Sequence, residues 1–165
     1  MPKDATTNVS DPNLALRAAG LGAIAGLRSM AAPAALSRAA AEGRLDGLGA
    51  TPFAVLGTSR VSGLLTLFEF GELIGDKLPM TPSRTSPPPL LGRAASGAFV
   101  GAALFASEGR RAATGGVLGA VAAVSSAYAG ERLRARIGQA TGAPDPAVAL
   151  LEDAVVLFGS YRLLR

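Results

Sequence analysis

The chain has 165 residues, 49% of them hydrophobic and 17% charged, with 16 Lys and Arg against 12 Asp and Glu for a formal net charge of +4. Charged residues make up about a quarter of an ordinary soluble domain, so this composition points toward a membrane protein. With neither Cys nor His, disulfides, thiolate nucleophiles, Ser–His triads, His-ligated metals and a histidine pH switch are excluded, and any metal site must be made of oxygen ligands.

The apolar fraction is mostly Ala, Gly, Leu and Val with only eight aromatics, and small side chains suit helices that approach closely inside a bilayer. The basic balance rests on 14 Arg and two Lys. No helix face combines basic residues with interleaved aromatics, so nucleic acid is not an expected partner. Basic loops beside membrane spans are the simpler account.

Residues 1–13 are polar and lack the basic start of a secretory signal, which predicts a disordered tail. The first apolar segment runs from Asn13 to about Leu36, with Pro33 kinking or ending it, and Arg38, Glu42, Arg44 and Asp46 form a polar connection. The second covers Thr51 to Leu78 and is stopped by Pro79. Pro79 to Pro89 holds five prolines and reads as a loop. Three more segments follow, Leu90 to Ser107, Arg111 to Arg136 and Pro146 to Leu164, the last after a break at residues 142–145. The expectation is an all-α, polytopic transmembrane bundle of about five helices, four to five of them spanning, forming one domain over residues 14–165.

Leu21–Ser29 aligns with Leu118–Ser126, identical at five of nine positions. Each copy precedes a segment with carboxylates, and with one helix between the two pairs the second pair would be inverted, as in many secondary transporters. The alternative is chance alignment of Ala/Gly-rich helices. Glycines four apart, Gly22/Gly26, Gly71/Gly75, Gly97/Gly101 and Gly115/Gly119, are predicted helix-packing faces.

Glu69, Glu72 and Asp76 fall on one helical face. Carboxylates turned toward lipid would cost several kcal/mol each. They therefore either line an interior ion path or, with Asp76 and Lys77 solvated at the headgroups, pair structurally with Arg28 or Arg60. Glu152 and Asp153 lie near the start of the last segment, where they serve the helix dipole or complete the same site with Glu69. Ser29, Ser125, Ser126 and Tyr128 are further candidate neutral ligands. No nucleophile, metal triad or cofactor motif is visible, so neither an enzyme nor a bound cofactor is expected.

Gly26-Leu-Arg-Ser-Met-Ala-Ala-Pro33 and Gly75-Asp-Lys-Leu-Pro-Met-Thr-Pro-Ser-Arg-Thr85 resemble a family of small bacterial multi-spanning membrane proteins catalogued as a domain of unknown function. The resemblance extends from about Leu14 onward through Gly92-Arg93, and it implies a bacterial inner-membrane location with no established activity. A shorter stretch, Glu72-Leu-Ile-Gly-Asp76-Lys77-Leu78, is similar to the Glu-x-Gly-Asp-Lys-Thr/Ser signature of manganese and calcium exchangers. It has one extra residue before the glycine and Leu78 where those proteins have a hydroxyl. The resemblance implies a cation path lined by Glu72 and Asp76, although the insertion turns Glu72 by about 100° on a helix.

With Arg17, Arg28, Arg60 and Arg93 left out as span residues, five alternating spans put six Lys or Arg on each side, which gives the positive-inside rule nothing to act on. A homo-oligomer, in the form of an antiparallel, dual-topology homodimer in the bilayer, is the corresponding expectation. The functional expectation is passage of a small cation or protons through Glu69, Glu72, Asp76, Glu152 and Asp153. The alternative is a non-transporting membrane scaffold or assembly factor held by structural ion pairs.

Overall fold

Prolines and glycines set the helix boundaries. The computed structural model describes residues 12–75, 85–142 and 145–165, and its order of helices is α1 (Pro12–Leu27), α2 (Ala31–Ala41), α3 (Ser59–Gly75), α4 (Pro87–Ser107), α5 (Ala112–Thr141) and α6 (Asp145–Leu163). Two short 3₁₀ turns, Asp46–Ala50 and Ala54–Gly57, connect α2 to α3, and no strand occurs among the described residues. The first-turn amides of a helix have no intrahelical acceptor, so proline loses nothing there. Pro12 accordingly opens α1, and Pro87, Pro88 and Pro89 form the first turn of α4 instead of extending the preceding loop. α5 runs five residues past the expected Arg136 and ends at Gly142, whose φ of 63° is the left-handed cap that glycine adopts at no steric cost.

The first expected span is two helices. Pro33 occupies the first turn of α2, and the chain reverses three residues earlier, at Arg28-Ser29-Met30. Arg17, near the start of α1, donates from Nε to the Leu163 carbonyl at 2.8 Å. Arg44, just beyond α2, donates from Nη1 to the Leu164 carbonyl at 3.0 Å. Both arms of the hairpin therefore return to the C-terminal end of α6. This near end of the bundle also holds the C-terminus of α4, through the Arg17–Glu108 pair. The hairpin turn does not reach the far end: it lies beside Arg93 and Ser96, which sit about 9–13 Å inside the N-terminus of α4 at 1.5 Å per residue.

Among the described residues α1, α4 and α5 form the tightest contact, and glycine makes it so. A Cβ on Gly22 would stand 2.3 Å from the Gly119 carbonyl oxygen, and one on Gly101 would stand 2.1 Å from that of Gly115. Gly26 lies against Ala123 and Ser126, and Gly97 against Gly119 and Ala123. Gly71 and Gly75 differ: a Cβ there would meet no described atom within 4 Å. α3 packs on α2, and its glycines lie off that contact.

Two further expectations change with the reversal. The aligned segments Leu21–Ser29 and Leu118–Ser126 do pack together, Gly22 on Gly119 and Gly26 on Ala123, in the register of the alignment. The two helices therefore run parallel, and the pair is not an inverted repeat, because the extra helix α2 makes the number of reversals between them even. The charge balance shifts for the same reason. Arg44, Arg60, Arg110, Arg111, Arg162 and Arg165 gather at the near end with Arg17 and Arg38 a turn or two further in, against Arg132, Arg134 and Arg136 toward the far end of α5.

α4 and α5 are long and apolar enough to cross a membrane. The core is apolar, yet charged side chains enter it and large apolar ones stay outside. Arg28, Arg93 and Glu69 are buried, whereas Leu67, Phe68, Phe70 and Ile74 of α3 and Leu151, Val155 and Phe158 of α6 are each more than half exposed. Exposed apolar side chains on this scale, together with two helices of spanning length, suggest membrane association.

Candidate functional site

A chain that reverses between two helices leaves backbone groups without intrahelical partners, and inside an apolar bundle water cannot supply them. Three side chains from α3 and α4 do so at residues 26–30. Glu72 of α3 spreads its carboxylate across the start of α2. Its Oε1 accepts from the Ser29 backbone N–H and from the Ser29 hydroxyl, and its Oε2 accepts from the Met30 N–H, all at 2.8 Å. An anion here also meets the positive end of the α2 dipole. Arg93 of α4 donates from Nε to the Gly26 carbonyl at 3.0 Å, closing the end of α1, while its Nη2 lies 3.9 Å from Glu72 Oε1. The Ser96 hydroxyl donates to the Ser29 carbonyl.

Arg28, at the turn itself, is 3% exposed. Its Nε and Nη2 both donate to Asp153 Oδ1 of α6, at 2.8 and 2.6 Å. Arg28 of the turn is thus joined with Glu72, Arg93 and Asp153 from three other helices, two arginines and two carboxylates with a formal charge of zero. Removing one member of such a pair strands a buried charge, at a cost of about 3–5 kcal/mol.

The remaining predicted residues go elsewhere. Glu69, 9% exposed, accepts from Arg38 Nη1 at 2.8 Å, and the same nitrogen donates to Thr66 Oγ1 at 3.1 Å. Glu152 lies 3.7 Å from Arg134 Nη1. Glu69 thus faces α2 and Glu152 faces α5, and it is Glu72 and Asp153 that converge from α3 and α6, because the hairpin stands between those helices. Arg28, expected beside Glu69 or Glu72, binds Asp153. Ser126 donates to the Ala23 carbonyl at 2.7 Å as a helix-to-helix tie, and Ser125 and Tyr128 are exposed. Asp76 and Lys77 lie outside the described residues. Among the described residues, no three carboxylates gather as a metal site.

Sequence reasoning does not place Arg93 or Ser96 at the site. An arginine inside an apolar run must find a partner, which singles out Arg93, but nothing in the sequence names Gly26 or Glu72 as that partner.

A family model described as a domain of unknown function (DUF4126) matches residues 15–164. Neither a curated protein nor a solved structure matches the chain.

Proposed function

The chain belongs to the DUF4126 family, and we propose that it is a multi-spanning membrane protein that moves protons through the charged hairpin turn. The observation that carries this reading is the turn: a helical hairpin ending inside the bundle on Arg28, Arg93, Glu72 and Asp153, beneath an exterior rich in exposed leucine, valine and phenylalanine. Irregular backbone at membrane depth is tolerated where it is buried in protein or lines a cavity, and intramembrane charges mark ion and proton pathways. In this arrangement α3 to α6 cross the bilayer and α1–α2 is re-entrant. The arginine-rich near end faces the cytoplasm of a bacterial cell, by the positive-inside rule.

A proton suits the turn better than a metal cation. A dehydrated hard cation requires about six oxygen ligands, whereas the turn presents mainly donors, namely two backbone N–H groups, a hydroxyl and two guanidiniums. Protonating Glu72 would remove the charge that holds Ser29 and Met30 and free the α2 end of the hairpin. Conduction would follow from exchange of that proton between the two ends of the bundle.

The test is proton flux into liposomes containing the purified protein and a trapped pH-sensitive dye. Glu72→Gln keeps an acceptor for the turn but cannot carry the proton, so flux should vanish while the helical content stays that of the wild type. Flux unchanged in Glu72→Gln refutes the assignment. A second reading, a non-transporting scaffold, draws on the zero net charge of the turn: wild-type liposomes without flux, combined with strong destabilisation by Asp153→Asn, would favour it.

A further inference from the structure

Away from the turn, an open cavity of about 550 Å³ lies between the C-terminal half of α2 and the last two turns of α6. Its walls bring together Arg38, Arg44 and Arg165, with Glu42 as the one carboxylate among them. The three arginines are unequally engaged. Arg44 is tied to Glu42 and to the Leu164 carbonyl. Arg38 donates to described residues only from Nη1, leaving Nε and Nη2 without a described acceptor. The Arg165 guanidinium lies 5.7 Å from the centroid of the Tyr161 ring and donates to no described acceptor. Donors in excess on a shared wall fit a multivalent oxyanion, which a guanidinium binds through paired N–H groups.

The remainder of the wall is apolar apart from Ser160, whose hydroxyl donates to the Val156 carbonyl. Ala35, Leu157, the Tyr161 ring and Leu164 line it, and the same face of α6 continues through exposed Ala154 and Leu150. From Leu157 to Leu150 this strip runs about 10 Å along the helix. The cavity also sits at the arginine-rich end of the bundle, with a tyrosine at its mouth, as at a membrane–water boundary.

We propose that this cavity binds an anionic phospholipid, its phosphate held by Arg38, Arg44 and Arg165 and one acyl chain lying on Leu157, Ala154 and Leu150. The proposal rests on the membrane placement argued above and is independent of proton transport. Anionic lipids attract basic residues at the cytoplasmic surface by about 1 kcal/mol per Arg, or about fivefold in affinity. Because Arg38 also holds Glu69, an occupied cavity pulls on the α2–α3 contact that supports the turn.

The experiment uses the full chain in dodecyl maltoside micelles, titrated with phosphatidylglycerol, with phosphatidylcholine of the same chains and with inorganic phosphate, and reads retained lipid by native mass spectrometry. Phosphatidylglycerol is expected to be retained at least about fivefold over phosphatidylcholine. Arg165→Gln and Arg44→Gln should each weaken retention about fivefold. Arg111→Gln, an exposed arginine of the same end outside the cavity, should leave it unchanged. Arg165 makes no hydrogen bond to a described residue, so its variant should melt like the wild type. Equal retention of the two lipids, or equal loss from Arg111→Gln, overturns the proposal. Displacement of phosphatidylglycerol by millimolar inorganic phosphate also overturns it, in favour of a soluble-anion site. Failure of the membrane placement reads out separately, as a chain that stays in solution once detergent is removed.

Discussion

Asp153→Asn isolates the energetics of the hairpin turn. The Arg28 side chain is 3% exposed and that of Asp153 is 14% exposed, and two guanidinium nitrogens converge on Asp153 Oδ1 at 2.8 and 2.6 Å. Asparagine is the same size and keeps an acceptor oxygen, so packing is preserved and the change removes the negative charge alone. An arginine that cannot deprotonate is then left buried beside a neutral amide. Breaking a buried pair from one side costs about 3–5 kcal/mol, and the retained hydrogen bonds place Asp153→Asn at the lower end, about 3 kcal/mol. Replacing both partners, as Arg28→Met with Asp153→Leu, removes the stranded charge together with its counterion and should recover most of that loss, because apolar pairs of similar volume are often no less stable than buried ion pairs. The assay is reversible unfolding in mixed micelles, followed by circular dichroism for the wild type, Asp153→Asn, the single variants Arg28→Met and Asp153→Leu, and the double variant that combines those two. A loss below about 0.5 kcal/mol for Asp153→Asn, or a double variant as unstable as the sum of the two singles, refutes the account of the turn as a coupled charge centre.

Glycine substitutions should separate contact from open surface. Gly101→Ala places a methyl 2.1 Å from the Gly115 carbonyl oxygen and should cost about 1–3 kcal/mol by forcing α4 from α5, whereas Gly71→Ala, with no described atom near it, should stabilise α3 by up to about 1 kcal/mol. The same unfolding measurement reads both, and equal effects would contradict the packing described. Reporter fusions to the two ends of the chain should report one compartment, the cytoplasm, since α1 begins and α6 ends at the same end of the bundle; opposite compartments would rule out the re-entrant hairpin. Ser96→Ala leaves the Ser29 carbonyl without its hydroxyl donor and should destabilise by about 1–3 kcal/mol, a loss that Ser125→Ala on the exposed face of α5 should not reproduce.

Much of the helical architecture is local and therefore legible in the chain itself. Apolar runs mark α4, α5 and α6, whereas the opening prolines of α4 read as loop and α5 reads five residues short at its end. Apolar pattern acts on the backbone next to it, and a proline run fits a loop or a first turn equally. The family is legible in the same way, through the short elements at Gly26–Pro33 and Gly75–Thr85. The carboxylates Glu72 and Asp153 and the buried Arg28 stand out because isolated charges within apolar segments require partners.

Only the tertiary structure decided which partners those are, and with them the course of the chain. Nothing near Arg28 dictates a reversal, since Gly26 to Pro33 could equally continue as one kinked helix. The turn becomes tenable when Glu72, 43 positions away from Ser29, satisfies its amides, Arg93, 67 positions from Gly26, satisfies its carbonyl, and Asp153, 125 positions from Arg28, neutralises its guanidinium. A one-helix error there inverts every count of sides that follows, which is why the charge balance and the relation between α1 and α5 changed together. The physical reason is that a helix end is stabilised by whatever donor or acceptor reaches it in space, and distance along the chain does not measure that reach.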